Sequence, residues 1–158
     1  MILVTGGTGH LGNVLVRELE EQGKPVRVLV LPGEDTTSLE GTHAELIAGN
    51  ILDPLSLDEA FQDVKTVFHL AALVSIEPGK ENLLYRVNVN GTKNVLNSSL
   101  NHGVEKFIYT SSIHALARPP LGIPIDENQP FDTLNEAGPY DRTKALASIE
   151  VLKANQKG

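Results

Sequence analysis

Short apolar runs alternate along this chain with longer segments whose apolar positions recur every three or four residues. That alternation is the mark of strands separated by helices. MILVT (1–5) predicts a buried strand, followed by a glycine turn and a helix to about Gln22 that Gly23 closes. PVRVLVL (25–31) predicts a second strand with Val26, Val28 and Val30 on one face. AELIAG (44–49), TVFHLAA (66–72) and KFIYTSS (106–112) predict three more. DPLSLDEAF opens a short helix with Pro54 and Ser56 as start signals, and a long helix is expected from about Glu81 to His102. The segment 113–138, with prolines at 119, 120, 124 and 130, reads as a long loop. From Pro139 the pattern is helical to the end.

Strand alternating with helix implies βαβ units and a parallel sheet covered on both faces. Right-handed crossovers leave few topologies. The expectation is an α/β fold, a doubly wound parallel sheet of the Rossmann type in the order 3-2-1-4-5, with three αβα layers. A length of 158 residues fits one domain over 1–158. With 41% hydrophobic and 21% charged residues, the composition is that of a soluble globular chain. A formal net charge of -7 argues against a nucleic-acid or anionic-membrane binder, either of which needs a basic face. With no cysteine there is no disulfide, thiolate metal site or cysteine nucleophile. No apolar run is long enough to span a bilayer, and Met1 leads straight into a strand without the marks of a signal peptide. A cytoplasmic location is the expectation that follows.

The first turn carries candidate chemistry. VTGGTGHLGNVLV holds Gly7-x-Gly9-x-x-Gly12 and also Gly6-x-x-Gly9-x-x-Gly12. Either spacing alone is weak, but both lie between the first strand and the first helix, the context a dinucleotide pyrophosphate requires. One glycine permits the tight turn, another lets backbone approach the phosphates, and the last brings helix close to sheet. A plain strand-to-helix turn rarely needs so many. The residue ending the second strand reads the adenosine ribose, where an acid favours NAD and a nearby arginine NADP. Here that residue is Leu31, followed by Pro32-Gly33, which is neither signal. Without an arginine for a 2′-phosphate the reading leans to NAD over NADP, and Glu34 and Asp35 would repel that phosphate if they faced it.

At this point the chain resembles the extended short-chain dehydrogenase/reductase family, in its NAD-dependent epimerase/dehydratase group. TGGTGHLG (5–12) matches the family's TGxxGxxG turn, GNILD (49–53) its adenine-binding segment, and HLAA (69–72) the end of its fourth strand. NVNGTKNVL (88–96) resembles its central helix, YTSSIHA (109–115) its catalytic serine strand, and YDRTK (140–144) its YxxxK helix. The wording of 67–116 is nearest to dihydroflavonol-reductase-like members, and the six motifs follow the family order along essentially the whole chain. The resemblance implies that Gly6, Gly9, His10, Leu11 and Gly12 line the pyrophosphate, and that Leu31 borders the adenosine ribose. It implies that Asn50 and Ile51 flank the adenine, and that Leu70, Ala71 and Ala72 lie along the cofactor. Asn50 departs from the family's aspartate, though an amide can both accept from the adenine amino group and donate to a ring nitrogen.

The resemblance also assigns Ser112, Tyr140 and Lys144 as catalytic, with Tyr140 and Lys144 touching cofactor as well. Physical chemistry agrees. Positions i and i+4 share a helix face, so the phenol and the ammonium can approach one cofactor edge together. A free phenol releases its proton only near pH 10, and a neighbouring ammonium favours the phenolate. Ser112, at the carboxyl end of strand five, lies where open α/β sheets bind ligands and would hydrogen-bond a substrate oxygen. The plain alternatives are a surface tyrosine, a solvated lysine and a strand-end cap. His114 would face substrate or be satisfied by backbone; His69 reads as structural; in His10 the backbone matters more than the ring. No spacing of His, Asp and Glu suggests a metal.

Members of the resembling family run to about twice this length. The expectation is therefore the amino-terminal part of an NAD(P)-dependent oxidoreductase, epimerase or dehydratase acting on a small hydroxyl- or carbonyl-bearing molecule, without the lobe that chooses it. A catalytically silent dinucleotide-binding module acting as sensor or partner subunit stays open. So does a compact reductase completed by a second copy, a homodimer paired through helices 81–102 and 139–156 as in the family.

Overall fold

The computed structural model describes residues 1–155. The chain divides into two compact units, one of residues 1–72 with 94–110 and the other of residues 73–93 with 111 onward.

The first unit holds the whole sheet. Its strands are β1 (Ile2–Thr5), β2 (Val26–Val30), β3 (Glu45–Ala48), β4 (Thr66–His69) and β5 (Lys106–Tyr109). All four pairings are parallel and the order is β3-β2-β1-β4-β5, as the sequence predicts. Helix α1 (His10–Glu21) follows β1, and α2 (Pro54–Ala60) follows β3. β1 ends at its predicted limit, whereas the other four strands end one to three residues short of theirs.

Alternation along β2 gives the sheet its two covers. Val26, Val28 and Val30 cluster with Val4 of β1 and with Val16 and Leu19 of α1. Arg27, on the opposite face, donates through Nη1 to the carbonyls of Ala60 (2.9 Å) and Gln62 (2.8 Å) where α2 ends, and pairs with Glu45 of β3 at 3.0 Å. A charge can be buried mid-strand there because two carbonyls and a carboxylate meet it. The start of α2 is capped by Asp53, whose carboxylate accepts from Leu55 N–H, with Pro54 at the first helical position.

The second unit starts with the segment predicted as one long helix. Glu81–Leu84 is α-helical (α3), Tyr85–Gly91 is π-helical, and α-geometry resumes in α4 (Thr92–Asn101), which runs on into the first unit. The prediction missed the wide turn, which coincides with side-chain bonds to residues distant in sequence. Asn88, which is buried, spends its side chain on groups outside the helix. A π turn is a common device at functional positions. Residues 113–138 are also more ordered than a plain loop. Ile113–Ala115 forms a 3₁₀ turn and Leu116 bridges Phe131 in antiparallel fashion. The last described element is α5 (Pro139–Asn155), so the 156 end of the proposed pairing helix lies outside the described residues. No helix among the described residues is long and apolar enough to cross a membrane.

Candidate functional site

In the sheet unit the candidate cofactor residues follow the carboxyl ends of β1, β2, β3 and β4. Gly6 has φ +74, and a Cβ there would lie 2.7 Å from Ala71 N, so only glycine fits against the end of β4. A Cβ on Gly12 would lie 2.1 Å from Gly6 O, which is why the first turn of α1 can sit against the loop it follows. Gly9 is the N-cap and offers no side chain, and the first turn of α1 carries no acid. Its leading N–H groups therefore lack the side-chain acceptor that Asp53 gives α2. His10 and Leu11 are exposed at this end. A narrow all-backbone cradle at an uncapped helix start suits a phosphate or pyrophosphate.

The wall beside the cradle is braced from within the sheet. Thr5 Oγ1 lies 2.7 Å from Nδ1 of the buried His69 and accepts from Ala71 N–H at 3.3 Å. The His69 ring is also 5.7 Å from that of Tyr109 and 6.1 Å from that of Phe107, centre to centre. His69 is thus part of the core, as its position in the fourth strand suggests. Leu70 and Ala71 are half-buried and Ala72 is exposed. At the far side, Asn50 Oδ1 accepts from Leu52 N–H at 2.9 Å while Asn50 N–H donates to Ser56 Oγ at 2.9 Å. The amide oxygen therefore already caps its own turn. Ile51 is buried and its carbonyl accepts from Asn94 Nδ2 at 2.9 Å. Leu31 is exposed, and its backbone N–H is taken by the carboxylate of Glu34 at 2.7 Å.

The second unit holds Ser112, His114, Tyr140 and Lys144. The 3₁₀ turn that follows Ser112 packs on α5, which begins with Pro139 and carries Tyr140 in its first turn. Ser112 Oγ accepts from His114 N–H at 3.1 Å, so the serine caps the 3₁₀ turn rather than the strand, and its own O–H is not consumed by that bond. Tyr140 is half-buried. Lys144 is only 3% exposed and so is not the solvated charge of the plain alternative. Burial lowers its pKa to about 8. His114 has an exposed ring whose Nδ1 is 3.6 Å from Oδ2 of the buried Asp141.

Side-chain hydrogen bonds fix these elements, and sequence reasoning missed most of them. Asn88 accepts from Leu73 N–H (2.8 Å) and donates to Leu73 O (3.0 Å) and to Thr143 Oγ1 (3.1 Å). Thr143 in turn donates to Tyr140 O at 2.8 Å. Asn135, also buried, donates to His114 O at 3.3 Å, while its own carbonyl accepts from Arg142 Nη1 at 2.9 Å. Ser111 and Ser148 share a 2.7 Å bond, and Ser148 donates to Lys144 O at 2.8 Å, so Ser111 is the donor between them. One signal for Asn88 was available: an asparagine in mid-helix is costly unless its amide works elsewhere.

Comparison with known proteins adds the lineage. The 3-beta hydroxysteroid dehydrogenase/isomerase family matches residues 3–158. Sterol demethylase protein B of Methylococcus capsulatus is 35% identical over 156 residues, which are 99% of this chain and 47% of that protein. A short-chain dehydrogenase/reductase superfamily protein from Agrobacterium tumefaciens, solved with bound NAD, is 32% identical with a TM-score of 0.87, over 100% of this chain and 46% of that one. The Thermus thermophilus UDP-glucose 4-epimerase in complex with NAD is 26% identical with a TM-score of 0.85, over 99% of this chain and 51% of that one. The chain thus spans about half the length of the relatives it matches.

Proposed function

Because the chain belongs to the 3-beta hydroxysteroid dehydrogenase/isomerase family, we propose that it is the cofactor-binding and proton-handling part of an NAD(P)-dependent oxidoreductase or epimerase. The substrate would be a small molecule bearing a hydroxyl or carbonyl. The carrying observation is Lys144, buried on α5 one turn beyond Tyr140 with its pKa lowered to about 8.

The backbone cradle of Gly6, Gly9 and Gly12 at the start of α1 fits a pyrophosphate, with Leu70, Ala71 and Ala72 along the cofactor and Asn50 and Ile51 beside the adenine. A nicotinamide dinucleotide, when bound, supplies hydride acceptance and donation. Ser112 would donate its O–H to the substrate oxygen. Tyr140 would pass a proton to or from that oxygen, aided by the ammonium of Lys144, which would also bond the nicotinamide ribose. His114, with its exposed ring, is suited to contact substrate. The absence of an arginine between Leu31 and Asp35 favours NAD over NADP.

Calorimetric titration with NAD and NADP, followed by a spectrophotometric screen of carbonyl compounds with the reduced cofactor, tests the reading. Tyr140→Phe is expected to keep cofactor affinity and lose turnover by about a hundredfold or more, the usual contribution of a general acid. A variant that retained most of the wild-type rate would overturn the role of Tyr140. Cofactor binding with no turnover in the wild type would leave a dinucleotide-binding module.

A further inference from the structure

We propose that Glu34 is the residue that selects NAD over NADP, a reading that rests on the dinucleotide function argued above. The second strand ends without the acid that usually reads the adenosine ribose, since Leu31 occupies that place. The fold supplies one three residues later. Leu31-Pro32-Gly33-Glu34 makes a tight turn closed by Glu34 N–H donating to Leu31 O at 3.0 Å. Proline stands at its second position and Gly33, at φ +78, at its third, the arrangement of a type II turn. The turn folds the Glu34 side chain back on the strand end. One carboxylate oxygen accepts from Leu31 N–H at 2.7 Å, and the other from the Thr8 hydroxyl at 2.5 Å.

Thr8 lies within the glycine turn itself. The carboxylate thus bridges the end of β2 and the phosphate cradle, the place a ribose selector must occupy. Each oxygen retains a lone pair after these bonds, and residues 31–35 are exposed, so two vicinal hydroxyls could donate to it. A 2′-phosphate brought to the same place would meet a fixed negative charge. The second-strand loop itself supplies no cation to offset that charge. No lysine or arginine occurs in 28–64, and Arg17, the α1 cation that reaches this loop, spends its Nη2 on the Ser38 (2.8 Å) and Glu40 (3.0 Å) carbonyls. Asp35 is occupied in its own loop, where its Oδ1 accepts from the hydroxyl and backbone N–H of Thr37. Of the two acids flagged in the sequence, only Glu34 reaches the cradle.

Calorimetry on this chain with NAD and NADP as the probes reads the assignment directly. Wild type is expected to bind NAD about twentyfold more tightly than NADP, the scale of charge-assisted hydrogen bonds. Glu34→Gln can keep its carbonyl oxygen on Leu31 N–H and present its NH2 to the Thr8 hydroxyl, which can also accept, but loses the charge. It should weaken NAD several-fold, strengthen NADP, and bring the ratio close to one at an unchanged melting temperature. Asp35→Asn, which removes a neighbouring charge without that contact, should leave the ratio as in wild type. A gain in NADP affinity cannot come from a damaged fold. A ratio that Glu34→Gln leaves unchanged, or that Asp35→Asn collapses equally, would overturn the assignment while sparing the dinucleotide reading. Wild type that bound neither probe would overturn both.

Discussion

Around Gly6 and Gly12, position is set by what has no room to be there, whereas around Ser112 and Tyr140 it is set by amides and hydroxyls reaching between elements. In the first region a single added carbon would fall 2.7 Å or less from backbone atoms. In the second, Asn88, Thr143, Asn135 and Ser148 tie the tyrosine–lysine helix and the serine turn to their surroundings. The lesson is that the two regions fail in opposite ways. The cradle is broken by adding atoms and tolerates little else. The helix and turn are broken by removing a donor or an acceptor, even where shape is kept.

The largest test of that contrast is Gly12→Ala. Alanine gains helix propensity, yet its Cβ would lie 2.1 Å from Gly6 O, so a net loss of about 3 kcal/mol is expected, the upper end of overpacking costs. Urea unfolding would measure it, and wild-type stability in the variant would mean that the cradle yields. Asn88→Ala comes next. It removes the side-chain partner of Leu73 N–H and Leu73 O and the donor to the Thr143 hydroxyl, for a loss of about 2 kcal/mol. The amide shift of Tyr140 should move with it, because Thr143 links Asn88 to the tyrosine carbonyl. An unmoved resonance would break the link.

The smallest effect is one of pH. In the folded chain Lys144 gives up its proton near pH 8, but the unfolded lysine holds it to about 10.5. Between those values the unfolded state binds more protons, so rising pH stabilises the fold. Relative to Lys144→Met, wild type should gain about 1 kcal/mol from pH 8 to pH 9. Parallel stability profiles over that window would mean that the lysine is not poised near neutrality.

Much of the sheet could be read from the chain because it rests on local regularities. Val26, Val28 and Val30 announce a strand face by their spacing, and the glycines of 6–12 announce a turn by context. Pro54 and Pro139 mark helix starts correctly. What stayed hidden depends on partners far along the chain. The π segment at Tyr85–Gly91 follows from Asn88 meeting Leu73 and Thr143, and no helical periodicity encodes that. Lys144 was singled out by its spacing from Tyr140, but its burial was not, since burial is a property of packing rather than of residue type. Glu34 could be flagged as an acid near the strand end, but its direction depends on a turn whose φ at Gly33 only the folded chain fixes.

The bond between Thr5 and His69 has a consequence for how the chain is made. Its partners are 64 residues apart, and β1 pairs with β4 over the same interval. At ~5–20 residues per second of synthesis, the ribosome delivers His69 about 3–13 seconds after Thr5. Through that interval the glycine turn has no wall, because Ala71, against which Gly6 packs, has not yet been joined to the chain. Slow codons placed after residue 71 would give the nascent sheet time to close around β1, whereas a pause before it would hold the first strand exposed.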